Sequence, residues 1–119
     1  VSTLVIQAQS DLYEVRKMIH KIGFFIENEK FCMDAGKPYL VMRAVRGEEK
    51  TPYEPAEYEY GRLLPEVSDT AYRKFLLDER DKKMKLQETL NMQKTSGAGA
   101  RVEELTEEIT GLNWILNKF

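Results

Sequence analysis

Hydrophobic positions in the first forty-five residues change their spacing twice, and each change marks an element. Thr3-Leu4-Val5-Ile6 is a short apolar run rich in β-branched side chains, which predicts a strand buried on both faces. Leu12, Val15, Ile19 and Ile22 then recur at helical spacing and predict one apolar stripe. Ser10 is placed to cap the free amides of that helix, Asp11 adds negative charge at its positive end, and Gly23 stops it by taking positive φ. Phe24 to Met33 reads as a second strand, Asp34-Ala35-Gly36 as a turn, and Tyr39 to Val45 as a more continuously apolar return strand. That continuity places the return strand inside the sheet, between the other two and antiparallel to both. Strand, helix, strand, turn, strand, with no glycine-rich loop ahead of them, is the closing half of a doubly wound α/β sheet. Ligands of such sheets bind at the carboxyl ends of strands in the opening half, so the pattern predicts a fragment with no chemistry of its own. The start at Val1, inside a strand and without Met, fits truncation or processing.

The pattern then breaks. Arg46 to Glu66 holds six Glu against three basic residues and three of the four prolines, with Tyr58, Tyr60, Leu63 and Leu64 as apolar anchors. This predicts a linker, mobile at its start, that docks from Tyr58 onward. Ser68 or Asp69 can cap a long helix running to about Lys94, Thr95 to Ala100 reads as a flexible connection, and a last helix starts near Arg101. Val102, Leu105, Ile109, Leu112, Leu116 and Phe119 alternate three and four residues apart, the seam of a coiled coil. Tyr72, Leu76, Leu86 and Leu90 answer on the preceding helix, but Glu79 and Lys83 occupy its middle. The expectation is an antiparallel coiled-coil hairpin, tight near both ends and loose between. Three units follow: 1–47 as the sheet half, 48–66 as linker and docking element, and 67–119 as the hairpin.

Composition narrows the chemistry. With 18 Lys plus Arg against 20 Asp plus Glu, the formal net charge of −2 leaves no global footprint of a nucleic-acid binder, so any basic site is local. The single Cys32 suits a reducing, cytoplasmic setting and reads as a core residue; His20 reads as a partly charged imidazole on the dipole of the first helix. No apolar run is long enough to span a bilayer, which predicts no membrane partner. No GxSxG, HExxH, CxxC or phosphate-loop pattern occurs, so no catalytic residue and no metal ligand is assigned. Two features carry more. Gln7 and Gln9 end the first strand where open α/β sheets place ligands, and their amides suit the edge of a planar substrate. Arg80, Lys82, Lys83 and Lys85, with Arg73 and Lys74 two turns earlier, suit a phosphate backbone; a solvated helix face is the plainer reading of such a run.

Four stretches together carry a resemblance: Leu4-Val5-Ile6-Gln7; Val15-Arg16-Lys17-Met18-Ile19; Asp34-Ala35-Gly36-Lys37-Pro38-Tyr39; and Tyr60-Gly61-Arg62-Leu63-Leu64. In this order the chain resembles the carboxyl-terminal half of bacterial tRNA adenine-N1 methyltransferases of the TrmK type. That family has a strand ending in Gln-Pro-Asn, a helix with an arginine, a Glu-Asp-Gly-Lys-x-Tyr turn and an aromatic-Gly-Pro element. The resemblance implies a Rossmann-like class I methyltransferase sheet, S-adenosylmethionine as cofactor of the parent protein but not of this piece, and tRNA as partner. It also implies Gln7 and Gln9 near the substrate base and the hairpin as a tRNA-contacting arm. Ala8 and Gln9 stand in place of Pro and Asn, and Arg62 in place of Pro, which predicts a looser joint ahead of the docking element. A protein-interaction module with a coiled-coil hairpin and no catalytic role is the alternative. Either reading leaves an open edge along Thr3–Gln7 and predicts self-association through that edge or through the hairpin.

Overall fold

In the computed structural model, which describes residues 2–93 and 97–119, three strands form one sheet in the order β1-β3-β2. Strand β1 spans Thr3–Ala8, β2 Phe24–Asp34 and β3 Lys37–Arg46. β3 lies between the other two and antiparallel to both, as its apolar continuity predicts. Helix α1, Leu12–Lys21, makes the crossover from β1 to β2. Its end follows expectation: Gly23 has φ 86° and its amide donates to the carbonyl of His20 at 3.1 Å. Its start does not, because Asp11 and not Ser10 is the N-cap, in a left-handed conformation and with no side-chain bond to the helix. Ala35 and Gly36 both have positive φ, at 51° and 79°, the two-residue turn that matches the twist of a hairpin.

Two sheet details depart from the sequence reading. β1 is an edge strand covered on one face only, so Leu4 and Ile6 turn inward while Val5 is 70% exposed. In β2 the register shifts between Ile26 and Asn28, which makes Glu27 the extra residue of a bulge. Past the bulge the inward side chains are Glu29 and Phe31 in place of Asn28 and Lys30. The same shift leaves Cys32 half-buried on the other face and not in the core.

After β3 come α2, Pro55–Tyr60, and α3, Leu63–Glu66. The segment docks from Tyr53, five residues before Tyr58, for Tyr53 is itself buried. Arg62 is the reason. Its guanidinium lies 4.1 Å from the centre of the Tyr53 ring, Nε donates to Glu57 Oε2 at 2.6 Å, and the two Nη groups donate to the Thr51 and Pro52 carbonyls at 3.0 and 2.7 Å. An arginine in place of proline therefore fastens the joint that was expected to loosen, since its planar fork reaches several acceptors at once.

Helix α4, Thr70–Gln93, is capped by Asp69, whose Oδ1 accepts from the Tyr72 amide at 2.8 Å. Helix α5, Ala98–Leu116, starts earlier than Arg101 because Ala98 and Ala100 are strong helix formers. Of the expected connection, Thr95 and Ser96 lie outside the described residues, as does Lys94. The two helices run antiparallel: Arg80 meets Asn113 at 3.0 Å, Lys83 meets Glu108 at 3.2 Å, and Gln87 meets Thr106 at 2.7 Å. Polar pairs thus bridge the middle of the hairpin. Its base is the tight end, with Tyr72, Leu76, Leu112 and Ile115 buried, whereas toward the tip Leu105 is buried but Leu86 is 42% exposed. One core joins all three stretches of sequence, through Ile19 and Met42, Tyr53 and Leu64, and Tyr72 and Leu112.

Candidate functional site

The bulge in β2 turns a carboxylate into the core, and the fold answers it with Arg16 from α1. Arg16 Nε donates to Glu29 Oε1 at 2.8 Å, and both side chains are fully buried. Arg16 Nη1 also donates to the carbonyls of Tyr58 and Glu59 at 2.7 and 3.0 Å, the free carbonyls at the end of α2. One side chain therefore joins α1, β2 and α2. Gly61 closes over it: a Cβ there would stand 2.5 Å from Glu29 Oε2 and 3.0 Å from Arg16 Nη2, two atoms without a hydrogen-bond partner among the described residues. Beside the pair, His20 Nδ1 meets the Tyr58 hydroxyl at 2.8 Å, and its ring packs edge-on to Tyr53. Burial holds the imidazole below its ordinary pKa, outweighing the Glu49 carboxylate nearby. Burial thus works against the charged imidazole that the carboxyl end of α1 would favour.

This support fixes α2 against the carboxyl end of β1, where a cleft of about 200 Å³ opens between sheet and hairpin. Ala8 and Gln9 follow the strand into it, Phe31 and Leu40 form its floor, Tyr60 one wall, and Tyr72, Phe75 and Leu76 the other. Glu59, Glu79 and Lys83 are its charged lining residues, and Leu12, Pro38, Tyr39 and Leu112 complete it. Burial first, then the carboxylates of Glu59, Glu108 and Glu79, push the Tyr60 phenol well above its ordinary pKa, so it stays protonated at any working pH.

The residues singled out in the sequence divide. Gln9 lines the cleft, while Gln7 pairs with Val41 and is exposed on the opposite face of the sheet. Of the six basic residues on α4, Lys83 and Arg80 turn toward α5, the first to Glu108 and the second to Asn113. Lys82 is exposed and 3.4 Å from Glu79. Lys74 and Lys85 share one outer stripe with Asp78 and Asp81 between them, and Arg73 is exposed on another side. Arg16, Glu29 and Tyr60 carried no role in the site as read from residue patterns; the glycine after an aromatic at Tyr60-Gly61 was the available signal. Among the described residues no group of three or more His, Cys, Asp or Glu side chains is placed to hold a metal ion, and no helix is long and apolar enough to cross a membrane.

Comparison with known proteins supplies the context. The chain is similar in fold to an uncharacterized protein from Listeria monocytogenes serotype 4b, with a TM-score of 0.88 and 17% identity over 98% of this chain and 51% of that one. It is also similar to the B. subtilis M1A22 tRNA methyltransferase TrmK, with a TM-score of 0.80 and 18% identity over 96% and 51%. A third is M. capricolum TrmK in complex with S-adenosyl-homocysteine, with a TM-score of 0.77 and 16% identity over 98% and 50%. The chain thus spans about half the length of the solved structures it matches. No curated protein matches it. The family described as TrmK, tRNA (adenine(22)-N(1))-methyltransferase, matches residues 1–113, and on that extent the chain belongs to this family.

Proposed function

We propose that this chain is the substrate-facing half of an S-adenosylmethionine-dependent enzyme that methylates N1 of an adenine in tRNA. In this reading the cleft receives the adenine and Gln9 hydrogen-bonds its edge, while Gln7 lies on the opposite face of the sheet. The hairpin, its 3–4 seam read as a coiled coil, lies along the RNA with the exposed Arg73, Lys74, Lys82 and Lys85 toward phosphate, while Arg80 and Lys83 are held toward α5. The observation that carries the reading is the position of the cleft: it opens at the carboxyl end of β1, where open α/β sheets hold ligands, in a chain of this family. The adenine must leave its stack to reach such a site, at a cost of a few kcal/mol.

The residues here do not fit the cofactor itself. The link from β1 to α1, Gln9-Ser10-Asp11, holds no glycine that would let the backbone approach the cofactor closely. Cofactor binding is assigned to sequence corresponding to the other half of the relatives. Titration of S-adenosylmethionine into this chain by calorimetry then gives no heat, and tight binding would overturn the reading. Binding of tRNA weakens with salt in proportion to the phosphates neutralised. Reversing Arg73, Lys74 and Lys85 together to Glu flattens that slope by about two to three; an unchanged slope removes the hairpin from the RNA contact. Self-association through the open β1 edge or the hairpin belongs to the same reading, and a single monomeric species in sedimentation at high concentration would exclude it.

A further inference from the structure

The cleft is aromatic inside and acidic around its rim. Phe31 from β2 and Tyr72 and Phe75 from α4 lie with ring centroids 5.1, 5.2 and 6.2 Å apart, and Tyr60 from α2 and Tyr39 from β3 also line the cleft. The Tyr72 hydroxyl donates to the Tyr60 carbonyl at 2.7 Å, so Tyr72 offers the cleft its ring and not a free donor. Two carboxylates, Glu59 and Glu79, share the lining with one basic group, and that group, Lys83, is held 3.2 Å from Glu108. Glu79 in turn has Lys82, itself 75% exposed, at 3.4 Å. The upward push that Glu59, Glu108 and Glu79 give the Tyr60 phenol reports the same excess of negative potential. An anion entering here meets net like charge. A planar cation meets aromatic faces, whose quadrupole attracts it, and carboxylates at the rim.

We infer that the cleft selects a cationic purine, binding N1-methylated adenine more tightly than adenine. This rests on the reading of the cleft as the base site. N1 of adenine carries a lone pair and no proton, so a ring that gains a methyl group there becomes positively charged. A neutral adenine gains only stacking from Phe31, Tyr72 and Phe75, whereas the methylated ring gains the cation–π and carboxylate terms as well. The preference has two consequences for an enzyme of this kind: charge that develops on the ring is met by preorganised groups, and the methylated base leaves slowly.

The test uses this chain with two probes, adenosine and 1-methyladenosine, titrated at neutral pH and followed by the NMR shifts of the aromatic ring protons. The expected result is a preference of about fivefold or more for 1-methyladenosine, in the range of a partly desolvated cation–π contact. Glu59→Gln with Glu79→Gln brings that preference toward one. Both sites are on the surface side of the cleft, and an unchanged thermal melt verifies that the variant folds. Equal affinity for the two nucleosides, no binding of either at millimolar concentration, or a preference that survives the double substitution overturns the inference. If tRNA still binds with its salt dependence while the nucleosides bind equally, cation selection fails and the RNA reading stands. If 1-methyladenosine is preferred but tRNA is not bound, the failure lies with the RNA reading.

Discussion

Replacing Gly61 with alanine tests whether the docking of α2 is built around the buried pair. Gly61 has φ 94° and ψ 155°, a region that side-chain-bearing residues occupy only at a cost of about 1–3 kcal/mol. The added Cβ would also stand 2.5 Å from Glu29 Oε2 and 3.0 Å from Arg16 Nη2. Neither side chain has an exposed atom, so neither can swing into water; the pair must part or α2 must lift. Removing one partner of a buried pair costs about 3–5 kcal/mol, and forcing the pair apart reaches a fraction of that. Strain and displacement together come to about 3–5 kcal/mol, a large share of the roughly 5–15 kcal/mol that holds a domain folded. Urea unfolding followed by circular dichroism reads this as a lowered midpoint at constant slope. Gly36→Ala is the control, because Gly36 has φ 79° in the β-hairpin turn and an added methyl group there would find no neighbour within 4 Å, so it loses only about 1–2 kcal/mol to conformational strain. If Gly61→Ala costs no more than Gly36→Ala, the buried pair does not set the position of α2.

Three other perturbations probe the same frame. Arg16→Met strands the Glu29 carboxylate and loses about 3–5 kcal/mol, while Arg16→Met with Glu29→Met recovers most of it; additive losses in the double-mutant cycle would refute the pairing. His20, held below its usual 6.5 by burial, binds fewer protons folded than unfolded, so stability is full above about 6.5 and falls as pH drops through that value toward the lower folded-state one. The urea midpoint accordingly rises as pH rises toward and through the ordinary imidazole range, and His20→Gln reduces the rise; superimposable profiles would contradict this. Arg62→Ala frees the Thr51 and Pro52 carbonyls and uncovers Tyr53, so limited proteolysis cuts the segment from 47 to 54 faster, and an unaltered cleavage rate would show that Arg62 is not the fastener.

What the sequence made legible was whatever a local period encodes. The apolar continuity of Tyr39 to Val45 placed β3 in the middle of the sheet, and Gly23 and Gly36 marked their turns. The rest depends on a register or a partner distant in sequence. A bulge is one extra residue, and nothing in Glu27-Asn28-Glu29 says which of the three is extra. Yet that single slip decides that Glu29 and Phe31 go inward and Cys32 does not. Without the bulge the Arg16–Glu29 pair is invisible, and Arg16 is no more than the arginine of the first helix that the resemblance singles out. Arg62 was legible as a departure from a proline, but its effect has the opposite sign because its acceptors, Glu49, Thr51, Pro52 and Glu57, come together only in the fold. The cleft was half legible: a strand end with amides pointed to the right edge of the sheet, and of the two amides only the one beyond the last strand residue, Gln9, reaches the cavity.

The arginine, carboxylate and glycine beneath α2 also limit how this sequence can drift. A change at Glu88 or Glu103 falls on exposed surface, and a lineage can make it in one step. A change at Arg16, Glu29 or Gly61 passes through a chain with a stranded charge or a side chain in collision, whichever position mutates first. The three behave as a single inherited character even though the first two stand 13 residues apart and the third on another element. Diverging relatives will keep all three or exchange them as a set, and an exchange requires enough surplus stability elsewhere to survive the intermediate. The pace of change at the docking point of α2 is then governed by how well the sheet and the base of the hairpin pack in each lineage.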